Sequence, residues 1–271
     1  MDGLKSAVAL LGLALTCCGC ITTQEKKVVL RNENEPSPFA TPAKEQPKTP
    51  PPPRVLIAMA EMREREADVA RDKPEAQARL RDEARLAYQE LLKNDPGSVE
   101  GFRGLARVYG GMGDYARAID TYQKGLAKHP RDVNLWYDLG MLHGRRKDWA
   151  ESVQCFRKGL EIDPENQRCL KAMGFTLARA GQFDASFPFL TRAMGSACAA
   201  HTNVALMLMH MAEQDPGQKT QREELARAHL QAALQENPNY ERARELLECF
   251  DSPSSATPIH GTVDIFGDQD Q

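Results

Sequence analysis

Residues 136–164 read WYDLGMLHGRRKDWAESVQCFRKGLEIDP, from Trp136 to Pro164. A large aromatic opens the stretch, Leu139 and Gly140 follow, and a polar break, RKDW, interrupts it. A second run then carries Phe156 and Leu160 and closes at Asp163-Pro164. Within each run the apolar side chains recur at i, i+3, i+4 and i+7, the spacing of one stripe along a helix. A proline cannot continue a helix, and it disfavours helical backbone in the residue before it, so Pro164 ends the unit.

Outward from this stretch the pattern recurs. Phe102, Trp136, Leu170 and Val204 are spaced 34 residues apart, as are Leu105, Leu139, Met173 and Met207, and Pro96, Pro130 and Pro164. The small residues Ala106, Gly140 and Gly174 keep the same step, and so do the breaks GMGDY, RKDW and AGQF. Second runs are marked by Tyr122, Phe156 or Leu190 and by Leu126, Leu160 or Met194. Each period is therefore a helix, a short turn and a second helix.

A 34-residue order of Trp, Leu-Gly, an aromatic and a closing Pro resembles the tetratricopeptide repeat (TPR) family. The resemblance implies an all-α, helix-turn-helix superhelical solenoid. Trp136 and Phe156 are expected to wedge between the two helices of one repeat, with Gly140 allowing their close approach. These residues are core, not chemistry.

The edges depart from the pattern. Ala84, Tyr88, Leu91 and Pro96 fit a second helix, but its partner over about 55–72 lacks the Trp and Leu-Gly positions and is interrupted by Pro74. Pro188 falls inside a second helix, which is expected to kink or start late, and Cys198 stands where a closing proline is due. About six extra residues near QDPGQKTQ precede Ala226, Leu230, Ala233 and Pro238. A last helix, about 239–250, would cap the stack with a polar outer face. The expected TPR domain is 55–250, with about four repeats, a degenerate N-terminal one and the capping helix.

The chain has 271 residues and a formal net charge of −3, so there is no global basic excess of the kind that marks a nucleic-acid binder. Its first residues, MDGLKSAVALLGLALTCCGC, place Lys5 before an apolar run from Ala7 to Leu15. That run has the proportions of a signal-peptide core and is too short to span a bilayer. The cysteines after it resemble the lipobox of bacterial lipoproteins, which implies acylation of Cys20 or Cys18. Gly19 favours Cys20, whereas Leu15 and Thr16 are placed for Cys18. The resemblance thus implies a segment 1–20 that is a lipoprotein-like signal peptide, and a periplasm-facing protein held in the bacterial cell envelope by an N-terminal lipid anchor.

Residues 21–54 include PSPFATPAKEQPKTPPPPR and read as a disordered spacer. Its reach is about 100 Å extended and about 30–35 Å as a coil. The tail 251–271, DSPSSATPIHGTVDIFGDQDQ, is polar and acidic at its end and also reads as disorder, with VDIF a short segment that could dock on a partner or in the protein's own groove.

No catalytic constellation is legible. The glycines of GFRG and YGGMGDY fall at helix ends rather than after a strand, and the histidines at 129, 143, 201, 210, 229 and 260 lack metal spacing. Cys155, Cys169, Cys198 and Cys249 contain no C-x-x-C pair. The sequence thus points to no enzyme, no cofactor and no metal. In the TPR family the concave face is lined by positions 2, 5, 9, 12 and 13 of each first helix. That register implies a peptide-binding groove of Arg103, Arg107, Asn134, Tyr137, Met141, Arg145, Arg168, Lys171, Phe175 and Arg179. Six of these are basic, against one acidic candidate, Glu100.

Such a groove suits an acidic or carboxylate-bearing peptide, with arginines as bidentate partners and Tyr137, Met141 and Phe175 as anchors. The carboxylate clamp of chaperone-binding TPR domains is matched only partly, because its positions hold Arg103, Arg107, Asp138, Arg168 and Ala172. The expected function is a membrane-anchored scaffold or adaptor that binds a protein partner. The alternative is a non-catalytic regulatory subunit of a peptidoglycan or glycan enzyme.

Overall fold

The structure, a computed structural model, describes residues 51–251. Cys18, Cys20, the signal-like segment and most of the Pro-rich segment lie outside the described residues, as does the tail from 252. The described chain runs α1 (Pro53–Val69), α2 (Pro74–Asn94), α3 (Val99–Gly111), α4 (Tyr115–Lys128), α5 (Val133–Arg145) and α6 (Trp149–Ile162). It continues α7 (Gln167–Arg179), α8 (Phe183–Met194), α9 (Ala197–Gln214), a 3-10 turn at Pro216–Gln218, α10 (Lys219–Glu236) and α11 (Glu241–Asp251). The architecture is an all-α solenoid.

Local chemistry sets the elements at the repeat spacing. Ser98, Asp132 and Asn166 cap α3, α5 and α7, their side chains accepting from the backbone N–H of Gly101, Leu135 and Cys169. Such a cap is worth about 1 kcal/mol. At the other boundary Asp95, His129 and Asp163 turn to extended ψ of 86°, 65° and 91°, because a proline follows each.

Between the two helices of a pair, Gly113, Lys147 and Gly181 take φ of 79°, 64° and 78°. The backbone N–H groups of the next residues, Asp114, Asp148 and Gln182, reach back to the carbonyls of Tyr109, His143 and Leu177. This is the Schellman-type closure of a helix C-terminus, which requires left-handed backbone.

The helices form two layers. The odd helices touch in series, α1 on α3, α3 on α5, α5 on α7, α7 on α9 and α9 on α11, whereas the backbones of the even helices approach only the helices beside them in sequence. The odd helices thus make a continuous inner face. Tyr88, Tyr122, Phe156 and Leu190, one on each of α2, α4, α6 and α8, are all buried between the layers. A Cβ placed on Gly140 would lie 2.6 Å from the Phe156 ring, so the glycine is what lets α5 and α6 approach. Trp136 is half-buried, packs on the core and donates through Nε1 to the Pro130 carbonyl at 3.0 Å.

Several expectations are corrected. Pro74 does not interrupt a helix but starts α2, where its missing N–H costs nothing. The first helix begins at Pro53, inside the segment expected to be linker. α8 neither starts late nor breaks at Pro188: Pro188 is exposed, so water can reach the Asp184 carbonyl that it leaves without an N–H. In place of a closing proline, Gly195 adopts φ 66° and Ser196 caps α9. The extra residues lengthen α9 and α10 and form the 3-10 turn. α11 buries Ala243 and Leu246 and turns Glu241, Arg242, Arg244, Glu245 and Glu248 outward, as a terminal cap must.

Candidate functional site

The inner face is polar, and two of its arginines are engaged by carboxylates of neighbouring helices. Arg107 of α3 reaches Glu64 of α1, Nη2 to Oε2 at 2.7 Å and Nε to Oε1 at 3.3 Å. The Tyr88 hydroxyl from α2 donates to the same Oε2 at 2.8 Å. Burial works against the Arg107 charge, but the hydrogen bond and charge of Glu64 outweigh it and raise its pKa. One repeat on, Arg103 Nε lies 2.7 Å from Asp138 Oδ2, with the two side chains only 24% and 11% exposed. These two arginines tie α1 to α3 and α3 to α5.

The seam between α5 and α7 is made differently. Arg168 stacks its guanidinium 4.1 Å from the centre of the Tyr137 ring, and its Nη1 donates to Asn134 Oδ1 at 3.4 Å. Tyr137 in turn packs on Phe156 with ring centres 5.8 Å apart. Burial holds the Tyr137 hydroxyl above the usual phenol range, against the opposing charge of Arg168.

One turn along, Met141 is half-buried and Lys171 is exposed; Arg145, a further turn along α5, is also exposed. Arg145, Arg168 and Lys171 form no ion pair with a described residue. A stacked arginine pays less entropy per bond than a free one and still presents N–H groups to a carboxylate. The patch can therefore bind an anionic group beside an apolar side chain.

Elsewhere the chemistry is quiet. Burial pushes the Cys155 thiol up to about 12 and the Cys169 thiol up to about 11, so neither is a thiolate near neutral pH. Among the described residues no cluster of three or more His, Cys, Asp or Glu is placed to hold a metal, and no helix is long and apolar enough to cross a membrane. A concavity of about 450 Å³ opens on the side of the even helices, over Met173 and Leu177 and between Leu160, Phe189, Arg157 and Arg192. Sequence reasoning did not find it, because only the juxtaposition of α6 and α8 creates it.

The repeat order, the caps and the two-layer packing meet in one further observation: the family described as Cilia and flagella-associated protein 70 middle TPR-like domain matches residues 102–235. Residues 102–235 form a TPR-like array. No curated protein matches it. Among solved structures it is similar to a crystal structure of MamA at 17% identity, covering 67% of this chain and 96% of that one, with a TM-score of 0.45. Another is YrrB, titled a TPR protein with an unusual peptide-binding site, at 16% identity, 74% and 100% coverage and a TM-score of 0.44. A third is Pseudomonas aeruginosa pilF, at 16% identity, 74% and 90% coverage and a TM-score of 0.46.

Within this TPR array the groove residues read from sequence separate. Asn134, Tyr137 and Arg168 come together on the α5–α7 seam, with Met141 and Lys171 one turn along, whereas Arg145 lies a further turn on and its charge acts on Tyr122 of α4. Arg103 and Arg107 lie on the inner face but are engaged by Asp138 and Glu64. Phe175 does not line a groove: it is 0% exposed and packs in a core cluster with Val204, Ala205 and Leu208 of α9. Arg179, one turn further on, is half-buried.

Proposed function

We propose that this TPR protein is a lipid-anchored adaptor of the bacterial cell envelope that binds an acidic, partly apolar peptide segment of a partner protein on the α5–α7 patch. One observation carries the binding reading: Arg168 lies over Tyr137 and is held by Asn134, so its guanidinium is positioned before any ligand arrives. Met141 supplies an apolar contact beside it, Lys171 supplies charge one turn along that no described residue pairs, and Arg145 adds charge further along α5. A charge-assisted hydrogen bond to a carboxylate is worth about 1.5–3 kcal/mol. The anchor rests on Lys5, the apolar run Ala7–Leu15 and Cys18 or Cys20. Three acyl chains would hold the protein on a bilayer, where one gives only marginal attachment.

The binding reading is tested by selecting displayed random peptides on the purified chain and on its Arg145→Glu, Arg168→Glu, Lys171→Glu triple variant. Enrichment by the unaltered chain alone of peptides with a carboxylate next to an apolar residue supports it. Equal enrichment by both proteins overturns it.

A further inference from the structure

The acidic C-terminal segment lies outside the described residues, and Arg168 and Lys171 of the open patch form no ion pair with a described residue. Residues 252–271 contain Asp264, Asp268 and Asp270 and neither Lys nor Arg. Their strongest apolar run, Val263, Ile265 and Phe266, brackets Asp264. The patch offers the complement: Arg168 and Lys171, outside any ion pair among the described residues, beside a half-buried tyrosine and methionine.

We propose that residues 262–267 of this same chain dock on the α5–α7 patch, so that the protein carries its own competitor for the peptide site. The inference rests on the binding reading above and deepens it by naming the ligand. The connection is long enough. α11 packs on α9 and α9 on α7, so the last described residue is two inner-helix steps from the patch. At about 10 Å per step that is about 20 Å. The chain from Asp251 to Val263 spans up to about 40 Å when extended.

Charge favours the patch over two other places. Further along the inner face Arg103 and Arg107 are already neutralised, so an acidic segment gains nothing there. The concavity beside α10 and α11, nearer the tail's origin, is lined by Glu213, Glu223 and Glu224 with Lys219 and Arg227, and repels it. Tethering then makes a weak contact effective. A flexible connection of this length gives an effective concentration of about 1 mM, so a segment that binds at about 100 μM in trans occupies the site about ten to one in cis. An external peptide would bind about tenfold more weakly for it.

The test uses the full chain and a fluorescein-labelled synthetic peptide of residues 256–271, followed by anisotropy. Three proteins are compared: the unaltered chain, the chain with Ile265→Asp and Phe266→Asp, and that double variant with Arg168→Glu and Lys171→Glu added. Circular dichroism confirms equal helix content. The expected result is binding about tenfold tighter to the double variant than to the unaltered chain, and loss of at least tenfold on adding the patch changes. Equal binding to the first two proteins, or binding that the patch changes leave intact, overturns the inference. A peptide enriched in the display selection, titrated in parallel, separates the two claims. If the double variant binds that peptide but not the tail peptide, docking in cis is wrong and the binding reading stands. If the patch changes alter neither, both are wrong.

Discussion

Arg103 of α3 and Asp138 of α5 form a 2.7 Å ion pair across the seam between neighbouring repeats, 24% and 11% exposed. The pair changes the meaning of a basic inner face. A charge that reads as ligand-binding by register is here a tie between repeats. Removing one partner leaves the other part-buried and unpaired, which costs far more than the pair contributes relative to apolar side chains. Asp138→Ala is expected to destabilise the array by about 1–3 kcal/mol in urea unfolding. A double-mutant cycle with Arg103→Ala should recover a coupling of about 1 kcal/mol, whereas Arg145→Ala should stay within about 0.5 kcal/mol of the unaltered protein.

Lys147 is the one non-glycine residue at positive φ among the described residues, at a turn position that glycine fills in the repeats on either side. Left-handed backbone costs a side-chain-bearing residue about 1–2 kcal/mol, partly offset by the larger unfolded-state entropy of glycine. Lys147→Gly is expected to stabilise the protein by about 0.5–1 kcal/mol, and Gly181→Ala to destabilise it by about 1 kcal/mol. Thermal unfolding of the two variants measures both.

His201 and His229 meet Nδ1 to Nδ1 at 3.0 Å where α9 packs on α10, beside Phe187 and Phe183 of α8. One ring must donate and the other accept, so two protonated rings cannot keep the contact. Burial lowers both pKa values, and the charge of His201 lowers that of His229 further, while Glu236 and Asp184 pull the other way. The sign follows from proton linkage. The native pKa values lie below the unfolded value of about 6.5, so the unfolded chain binds more protons as pH falls past it. Stability from this pair is therefore complete above pH ~6.5 and declines as pH drops through that value toward the native pKa values. Denaturant midpoints at pH 7.5 and 5.5 should differ by less in His229→Gln than in the unaltered chain.

The anchor proposal predicts that expression in a bacterial host with an alkyne-tagged fatty acid labels the chain, and that one of Cys20→Ala and Cys18→Ala abolishes the label. Labelling that survives both single changes and the double change would remove the anchor from the account.

Much of the fold was legible because 34-residue spacing is written in the residue types that cannot be exchanged freely: the small Ala106, Gly140 and Gly174, the closing prolines and the buried Tyr122, Phe156 and Leu190. The candidate site was less so. Register shows which face a side chain occupies but not what lies across the seam, and Arg103 meets Asp138 only once α3 and α5 are laid side by side. Phe175 was misread for a related reason. Gly195 and Ser196 start α9 one turn before the period places it, and residues of that longer helix cover the α7 surface. The cation stack of Arg168 on Tyr137 needed both the repeat step and the side-chain conformations.

The central claim is that the inner face has a tied half and a binding half. Isothermal titration with a selected acidic–apolar peptide, paired with melting curves, tests it on two variants. Arg168→Glu with Lys171→Glu should weaken binding at least tenfold with an unchanged melting temperature, and Arg107→Ala should lower the melting temperature without changing affinity. The opposite assignment, affinity lost with Arg107 and kept without Arg168 and Lys171, would contradict the account.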